Sequence, residues 1–310
     1  MSGTNFAHWQ IGLATDAGAV RKVNEDAVFV RAMADPAGDE VAIAVVADGM
    51  GGYEGGDLAS QTAVAMIEMW WYERLPKLLK QQQFIKKIAV ELNTCVYNIN
   101  ERLLEIGQKM RQKLGTTLSA LLLYKGEYVI FHIGDSRIYR SSGRSHSFQS
   151  YVRRLSQESI AAAEPVFLEE TEILTSDGYI TQLTEDHSWV QAQVRLGQMT
   201  KEEARVHTKR NVLVQCLGLE QGVVPYQTRG IYQPHDIFLL CTDGYYSVYS
   251  DEEIRFMLEA LEERYTRFQS VCDKLTRYAR WSGSTDNITV ALLRHIYAGQ
   301  SHALSIQNKQ

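Results

Sequence analysis

Val41-Ala42-Ile43-Ala44-Val45-Val46-Ala47-Asp48-Gly49-Met50-Gly51-Gly52-Tyr53-Glu54-Gly55-Gly56-Asp57-Leu58-Ala59-Ser60 is the stretch on which the reading of this chain turns. Seven apolar residues without polar alternation, Val41 to Ala47, predict a strand buried on both faces. Such a strand has no cheap use for a carboxylate at its tip, yet Asp48 stands there with glycines close behind it. Glycine lets the backbone approach a ligand and adopt positive φ. A partly desolvated carboxylate needs a cation or a hydrogen-bond network. An isolated Asp-Gly is equally well a plain turn, so the weight of the reading rests on whether the device recurs.

It does recur. Working outward, strands are expected at Gln10–Leu13, Ala27–Met33, Thr116–Tyr124, Tyr128–Ile133 (continuing through Ile138-Tyr139-Arg140), Tyr179–Leu183, Ile237–Thr242 and Ile288–Leu293. Asp243 follows one of these strands and Gly134-Asp135 another, while Asp286 and the pair Glu25-Asp26 each precede one. In antiparallel sheets the end of one strand lies beside the start of its neighbour, so these acids can meet on one rim. Clustered carboxylates repel unless neutralised, and an all-oxygen ligand set suits a hard divalent cation. Mg²⁺ or Mn²⁺ is therefore expected.

Helical periodicity interrupts the strands. Leu58, Thr62, Met66, Met69 and Trp70 share one predicted face, and Ile85, Ile88, Leu92, Cys95, Ile99 and Leu103 share another, so the two helices should pair. Capping boxes start helices after Thr200 and Ser250, and a further helix covers about Ser270–Arg280. Strands joined by short turns and interrupted by helical hairpins indicate an α+β fold with helices layered on antiparallel sheets.

The composition excludes several classes. The 310 residues are 45% hydrophobic and carry a net charge of −5, which argues against a nucleic-acid binder. Cys95, Cys216, Cys241 and Cys272 lack zinc-type spacing and read as buried thiols in a reducing compartment. No apolar run suits a membrane span, and the N-terminal residues lack a basic start and apolar core. A cytoplasmic location, no membrane partner and a monomer are expected.

Arg21-Lys22-Val23-Asn24-Glu25-Asp26, Asp48-Gly49-Met50-Gly51-Gly52, Gly115-Thr116-Thr117, Gly134-Asp135-Ser136-Arg137, Thr242-Asp243-Gly244 and Asp286-Asn287-Ile288-Thr289-Val290 occur in that order. Together they resemble the metal-dependent serine/threonine protein phosphatases of type 2C. The Asp-Gly-Met-Gly-Gly form and Thr184-Glu185-Asp186-His187-Ser188 are similar to the bacterial branch. The resemblance implies two antiparallel sheets packed as a β-sandwich with helices on both outer faces. It implies a dinuclear Mn²⁺ or Mg²⁺ centre bridged by Asp48, one ion completed by Asp243 and Asp286, the other held by the Gly49 carbonyl. A third ion would use Asp135 and Asp243. Glu25 and Asp26 would orient waters of the centre, and Arg21 would hold the phosphate. The implied reaction is hydrolysis of phosphoserine and phosphothreonine in proteins, reversing a Ser/Thr kinase that is itself a candidate partner.

The family pattern is not followed everywhere. Met50 and Tyr53 stand where family members carry a histidine, so the leaving-group acid is not assigned and a water of the centre is the default. His132 and His187 read as a strand histidine and an anchor for the following helices rather than as ligands. The catalytic core is expected over about 9–297 of one domain spanning 1–310, with an insertion at about 141–178, a flap at about 186–218 and a tail at 298–310. Roughly forty residues separate Arg140 from Tyr179 where a short hairpin loop is usual, and loops of that length are often functional. A docking role for that insertion and a passive excursion stay open. Lys201, Arg205, Lys209 and Arg210 of the flap are either substrate contacts or a solvated face. Two alternatives differ in class: a catalytically silent phosphoprotein-binding module and a small-molecule phosphohydrolase.

Overall fold

The computed structural model describes residues 8–50, 55–81, 84–142, 179–233 and 235–296. Its centre is β3 (Glu40–Asp48), whose residues Val41–Ala47 are all buried. The absence of alternation has a direct cause, because both faces of β3 are covered. Ala42, Ala44 and Val46, together with Leu121 and Ile130 of the same sheet, face Phe238, Leu240, Ala291 and Leu293 of the second sheet. Val41, Ile43, Val45 and Ala47 face helices on the outside. Each large aliphatic side chain buried in this way contributes about 1.5–3 kcal/mol.

One sheet has the order β2-β3-β4-β5-β8, with β2 (Asp26–Ala34), β4 (Leu118–Tyr124), β5 (Glu127–Ile133) and β8 (Tyr226–Ile231). The other has the order β1-β10-β9-β6-β7, with β1 (Trp9–Asp16), β6 (Arg137–Ser141), β7 (Ile180–Gln182), β9 (Ile237–Cys241) and β10 (Ile288–His295). All ladders between these strands are antiparallel. On the first sheet lie α1 (Gly56–Glu73), the short α2 (Leu75–Leu78) and α3 (Phe84–Met110). On the second lie α7 (Asp251–Arg264) and α8 (Phe268–Trp281). Between them in sequence come α4 (Trp189–Arg195), α5 (Lys201–Val206) and α6 (Asp243–Tyr246). The layers run helix, sheet, sheet, helix, as the resemblance implied.

The pairing brings the acids to one rim. Asp26 and Asp48 are register partners at the start of β2 and the end of β3. Ser119 pairs with Val46 and His132 with Ser119, so β5 ends beside them, just before Asp135. Cys241 pairs with Val290, which sets Asp243 beside the approach to β10 that carries Asp286.

Two local expectations are corrected. The buried side of α1 is Ala59, Ala63, Ile67, Trp70 and Trp71, whereas Met69 is 55% exposed. The two tryptophans, not the methionines, set the rotation because they fill the most space against β3. Ile138–Arg140 does not continue β5; the chain crosses between sheets at Gly134–Ser136, where Gly134 has φ +106°. Strand β8 was not anticipated; it is a half-exposed edge with a short polar alternation. The α3 face is as expected from Ile88 onward, and the capping boxes at Thr200 and Ser250 both form. Most of the insertion (143–178), together with Tyr53, the side chain of Ile85 and the tail from 297, lies outside the described residues.

Candidate metal centre

Asp48 is held through its backbone. Its N–H donates to Thr117 Oγ1 at 2.9 Å, and its carbonyl accepts from Thr116 Oγ1 at 3.0 Å and from Thr117 N at 2.9 Å. The Gly115-Thr116-Thr117 motif is thus a brace for Asp48, leaving the carboxylate free to face its neighbours. Gly49 N donates to Glu25 O at 3.0 Å and Met50 N to Gly115 O at 3.0 Å, so both sides of the glycine loop's start are pinned. Glycine is required at 56. A Cβ there would stand 2.5 Å from Glu25 Oε1 and 2.9 Å from Gly49 O, so that the carboxylate and the carbonyl meet at the start of α1.

A layer of threonines lies beneath the acids. Thr242 Oγ1 donates to Asp26 Oδ2 at 2.8 Å and accepts from Thr289 N at 3.0 Å. The loop carrying Arg21 and Glu25 is stapled by Asn287. Its Nδ2 donates to Ala17 O at 3.0 Å and Val23 O at 2.9 Å, and its Oδ1 accepts from Glu25 N at 2.9 Å. Arg21, exposed at the mouth, pairs with Asp286 at 2.6 Å.

The electrostatics follow from this crowding. Burial, then the charges of Asp26, Asp243, Asp135 and Asp286, pushes the Asp48 carboxyl well above the usual range. Asp135 is also raised, by burial and by Asp243 and Asp186, with Arg137 opposing. Burial lifts Asp26 to about 7 against hydrogen bonds from Thr289 and Thr242 that hold it down. Asp243 rises to about 6 through burial and the charge of Asp286, while its hydrogen bond with Asp48 works the other way. Glu25 is raised, chiefly by burial, with Arg21 pulling down.

Asp26 Oδ1 and Asp243 Oδ1 are buried with no hydrogen-bond partner among the described residues. Buried acceptors are rarely left so. Among the described residues, no three acidic, histidine or cysteine side chains already stand in ligating geometry. Arg21 draws Asp286 to itself instead, at 2.6 Å. A hard divalent cation fits this donor set, since it is all oxygen, crowded with like charge and carries orphan lone pairs.

Asp26, Asp48, Asp135, Asp243 and Asp286 are thus brought together, with Glu25, Arg21 and Gly49 at one side. Neither histidine is free to act here. His132 is buried, with Nδ1 on Ser119 Oγ at 2.8 Å and Nε2 on Glu185 O at 3.1 Å, and its pKa falls to about 3 through burial. His187 anchors the approach to α4: its N–H donates to Gly134 O at 2.7 Å, and its Nδ1 faces Gly134 N at 3.2 Å. In the flap, Arg205 is engaged with Tyr249 O and Lys209 lies over the Trp189 ring, so these two are not simply a solvated face. Residue types alone did not single out Asn287, Thr117 or Thr242; their inclusion in the quoted motifs was the available signal.

Comparison with known proteins places the chain in a family. The family model for protein phosphatase 2C matches residues 18–289. A serine/threonine phosphatase stp of Listeria welshimeri is 30% identical over 289 residues, covering 90% of this chain and 93% of its own. The serine/threonine phosphatase of S. agalactiae superimposes with a TM-score of 0.68 at 26% identity, over 93% of this chain and all of that one. Stp1 of Staphylococcus aureus gives 0.71 at 25% identity, over 95% of this chain and 99% of that one. The match runs over most of the length, and the chain belongs to the protein phosphatase 2C family.

Proposed function

We propose that this chain hydrolyses phosphoserine and phosphothreonine in proteins at a divalent metal centre, in a cytoplasmic setting, and that it reverses the action of a Ser/Thr kinase. The observation that carries the reading is the convergence of buried, mutually repelling carboxylates with unpartnered oxygens on Asp26 and Asp243. Asp48, Asp243, Asp286 and the Gly49 carbonyl would hold two Mn²⁺ or Mg²⁺ ions, with Asp135 and Asp243 available to a third. Such ions supply a lowered pKa for a bound water and neutralisation of the phosphoryl oxygens.

The chain's own residues supply the rest. Arg21 stands 41% exposed at the mouth and offers a planar donor fork to a phosphate. Its present partner, Asp286, is one of the acids an ion would neutralise, so binding there would release the guanidinium for substrate. Asp26 is buried beside Asp48, with Oδ1 unpartnered among the described residues. At that atom it can take and hold a proton from an attacking water. Glu25 is fixed by Asn287 and Ser60 through its own backbone, and its carboxylate lies at Gly56, at the start of α1. No cysteine or histidine nucleophile is required.

A complete set of acids also weighs against a silent binding module, which has no use for it. The test is release of phosphate from an aryl phosphate and from a phosphorylated Ser/Thr kinase, with and without Mn²⁺. Turnover of both that depends on Mn²⁺ is expected. Turnover that ignores a chelator, or binding of the phosphokinase without release of phosphate, overturns the reading.

A further inference from the structure

The segment Thr184–Ser188 stood out in the sequence and has no part in the chemistry above. In the fold its three central residues grip the segment 132–137 one after another. Glu185 O accepts from His132 Nε2 at 3.1 Å. The Asp186 carboxylate takes Arg137 bidentately, at 3.1 Å from Nε to each oxygen and 2.8 Å from Nη2 to Oδ2. His187 clasps Gly134 through both the N–H and the carbonyl of that glycine. The gripped residues Gly134 and Arg137 flank Asp135.

The contacts are partly buried, and the ion pair at their centre is the best shielded of them. The Asp186 side chain is 9% exposed and that of Arg137 is 22% exposed. The guanidinium lies 3.8 Å over the ring of Tyr246, which belongs to α6, the helix opened by Asp243. Arg137 also donates to Tyr139 OH at 2.9 Å, and Tyr139 OH to Asp251 at 3.1 Å. Gln182 Nε2 donates to Asp186 Oδ1 at 2.8 Å, which fixes the carboxylate from its other side. On the far flank of Asp135, Ser136 Oγ meets Thr117 Oγ1 at 2.7 Å, the same oxygen that accepts from Asp48 N. The loop bearing Asp135 is therefore held from two directions, by Asp186 and His187 of the flap root and by the brace of Asp48.

We infer that Asp186 and His187 are positioning residues that set Asp135 against Asp48 and Asp243, so that metal affinity at Asp135 depends on the flap root. The inference rests on the proposed metal site and assigns a role to residues outside it. Bidentate Arg–carboxylate pairs fix orientation as well as charge. Breaking one whose partners are largely shielded from water leaves the cation uncompensated and free to turn toward Asp135, whose carboxyl already feels its charge.

The test is Mn²⁺ titration of the full chain by calorimetry, comparing wild type with D135N, D186N, H187A and the double variant D135N/D186N. D135N should lose one class of Mn²⁺ binding. D186N should weaken the same class at least ten-fold while leaving the others within about two-fold, and the double variant should match D135N. H187A removes the Nδ1 contact to Gly134 N without stranding a charge and should weaken that class in the same direction, which keeps the test open if D186N does not fold. Unchanged Mn²⁺ binding in folded D186N and H187A, with a class lost in D135N, overturns the positioning role alone. No class lost in D135N overturns that role together with the metal assignment of Asp135. A D135N/D186N variant that binds Mn²⁺ more weakly than D135N at the remaining sites overturns the specific link to Asp135.

Discussion

Asp48 is fixed by main-chain hydrogen bonds to Thr116 and Thr117, so its carboxylate can change without disturbing its place. Asp48→Asn should therefore leave the circular dichroism spectrum as it is while Mn²⁺-dependent turnover of an aryl phosphate falls to background. Near-normal turnover in that variant would remove Asp48 from the centre. Asn287 tells the complementary story, because its side-chain amide meets only main-chain groups yet holds the Arg21–Glu25 loop by three hydrogen bonds. Asn287→Ala strands part of that network and should cost about 2 kcal/mol, read as a lower urea midpoint. It should also raise KM more than it lowers kcat, because the Arg21 loop is loosened rather than the acids removed. An unchanged KM would show that the staple does not govern Arg21. The two residues differ in how visible they are in sequence. A carboxylate at the tip of an apolar strand breaks the local pattern and announces itself. An asparagine before a strand looks like any turn residue, and only the fold reveals what its amide reaches.

Elements were legible where one physical signal dominated. Ser250 and Glu253 form the reciprocal cap of α7, with Glu253 N donating to Ser250 Oγ and Ser250 N to Glu253 Oε2. Ser250→Ala should cost about 1 kcal/mol in thermal or urea unfolding and leave kcat alone, since α7 lies on the outer face. A loss of activity matching the loss of stability would instead tie α7 to the centre. On α1 several apolar residues competed for the buried side, and volume decided in favour of Trp70 and Trp71. At Gly134 the sequence shows a glycine between two apolar runs, which suits a bulge and a sheet crossing equally; the positive φ and the pairing of β6 with β9 distinguish them. Strands β6 and β7 meet as a hairpin, with Ser142 N donating to Tyr179 O at 3.0 Å and Tyr179 N to Ser142 Oγ at 3.1 Å. Because the two ends already touch, replacing residues 143–178 with a two-residue turn should preserve the melting temperature and aryl phosphatase turnover. A collapsed melting transition would mean that the excised residues support the sandwich.

For the whole molecule, antiparallel pairing is what converts scattered acids into one rim, and short turns between strands are the sequence signal of that pairing. The rim has a thermodynamic consequence. Asp26 titrates at about 7 and Asp243 at about 6 in the folded chain, both lifted first by burial. An unfolded aspartate titrates at about 4. The metal-free fold thus binds more protons than the unfolded chain between those values, and its stability falls as pH rises through that window. The contribution of these two groups is fully present below about pH 4 and gone above about pH 7. A divalent cation reverses the slope, because it binds only the deprotonated cluster of the folded state and stabilises by mass action. Saturating Mn²⁺ should therefore raise the melting temperature more at about pH 7.5 than at about pH 5, where protons compete for the same oxygens. In Asp243→Asn the Mn²⁺-induced rise should shrink at the higher pH, because the cluster loses both a ligand and a source of repulsion. Equal rises at the two pH values in the wild type would mean that the ion binds away from the acidic rim.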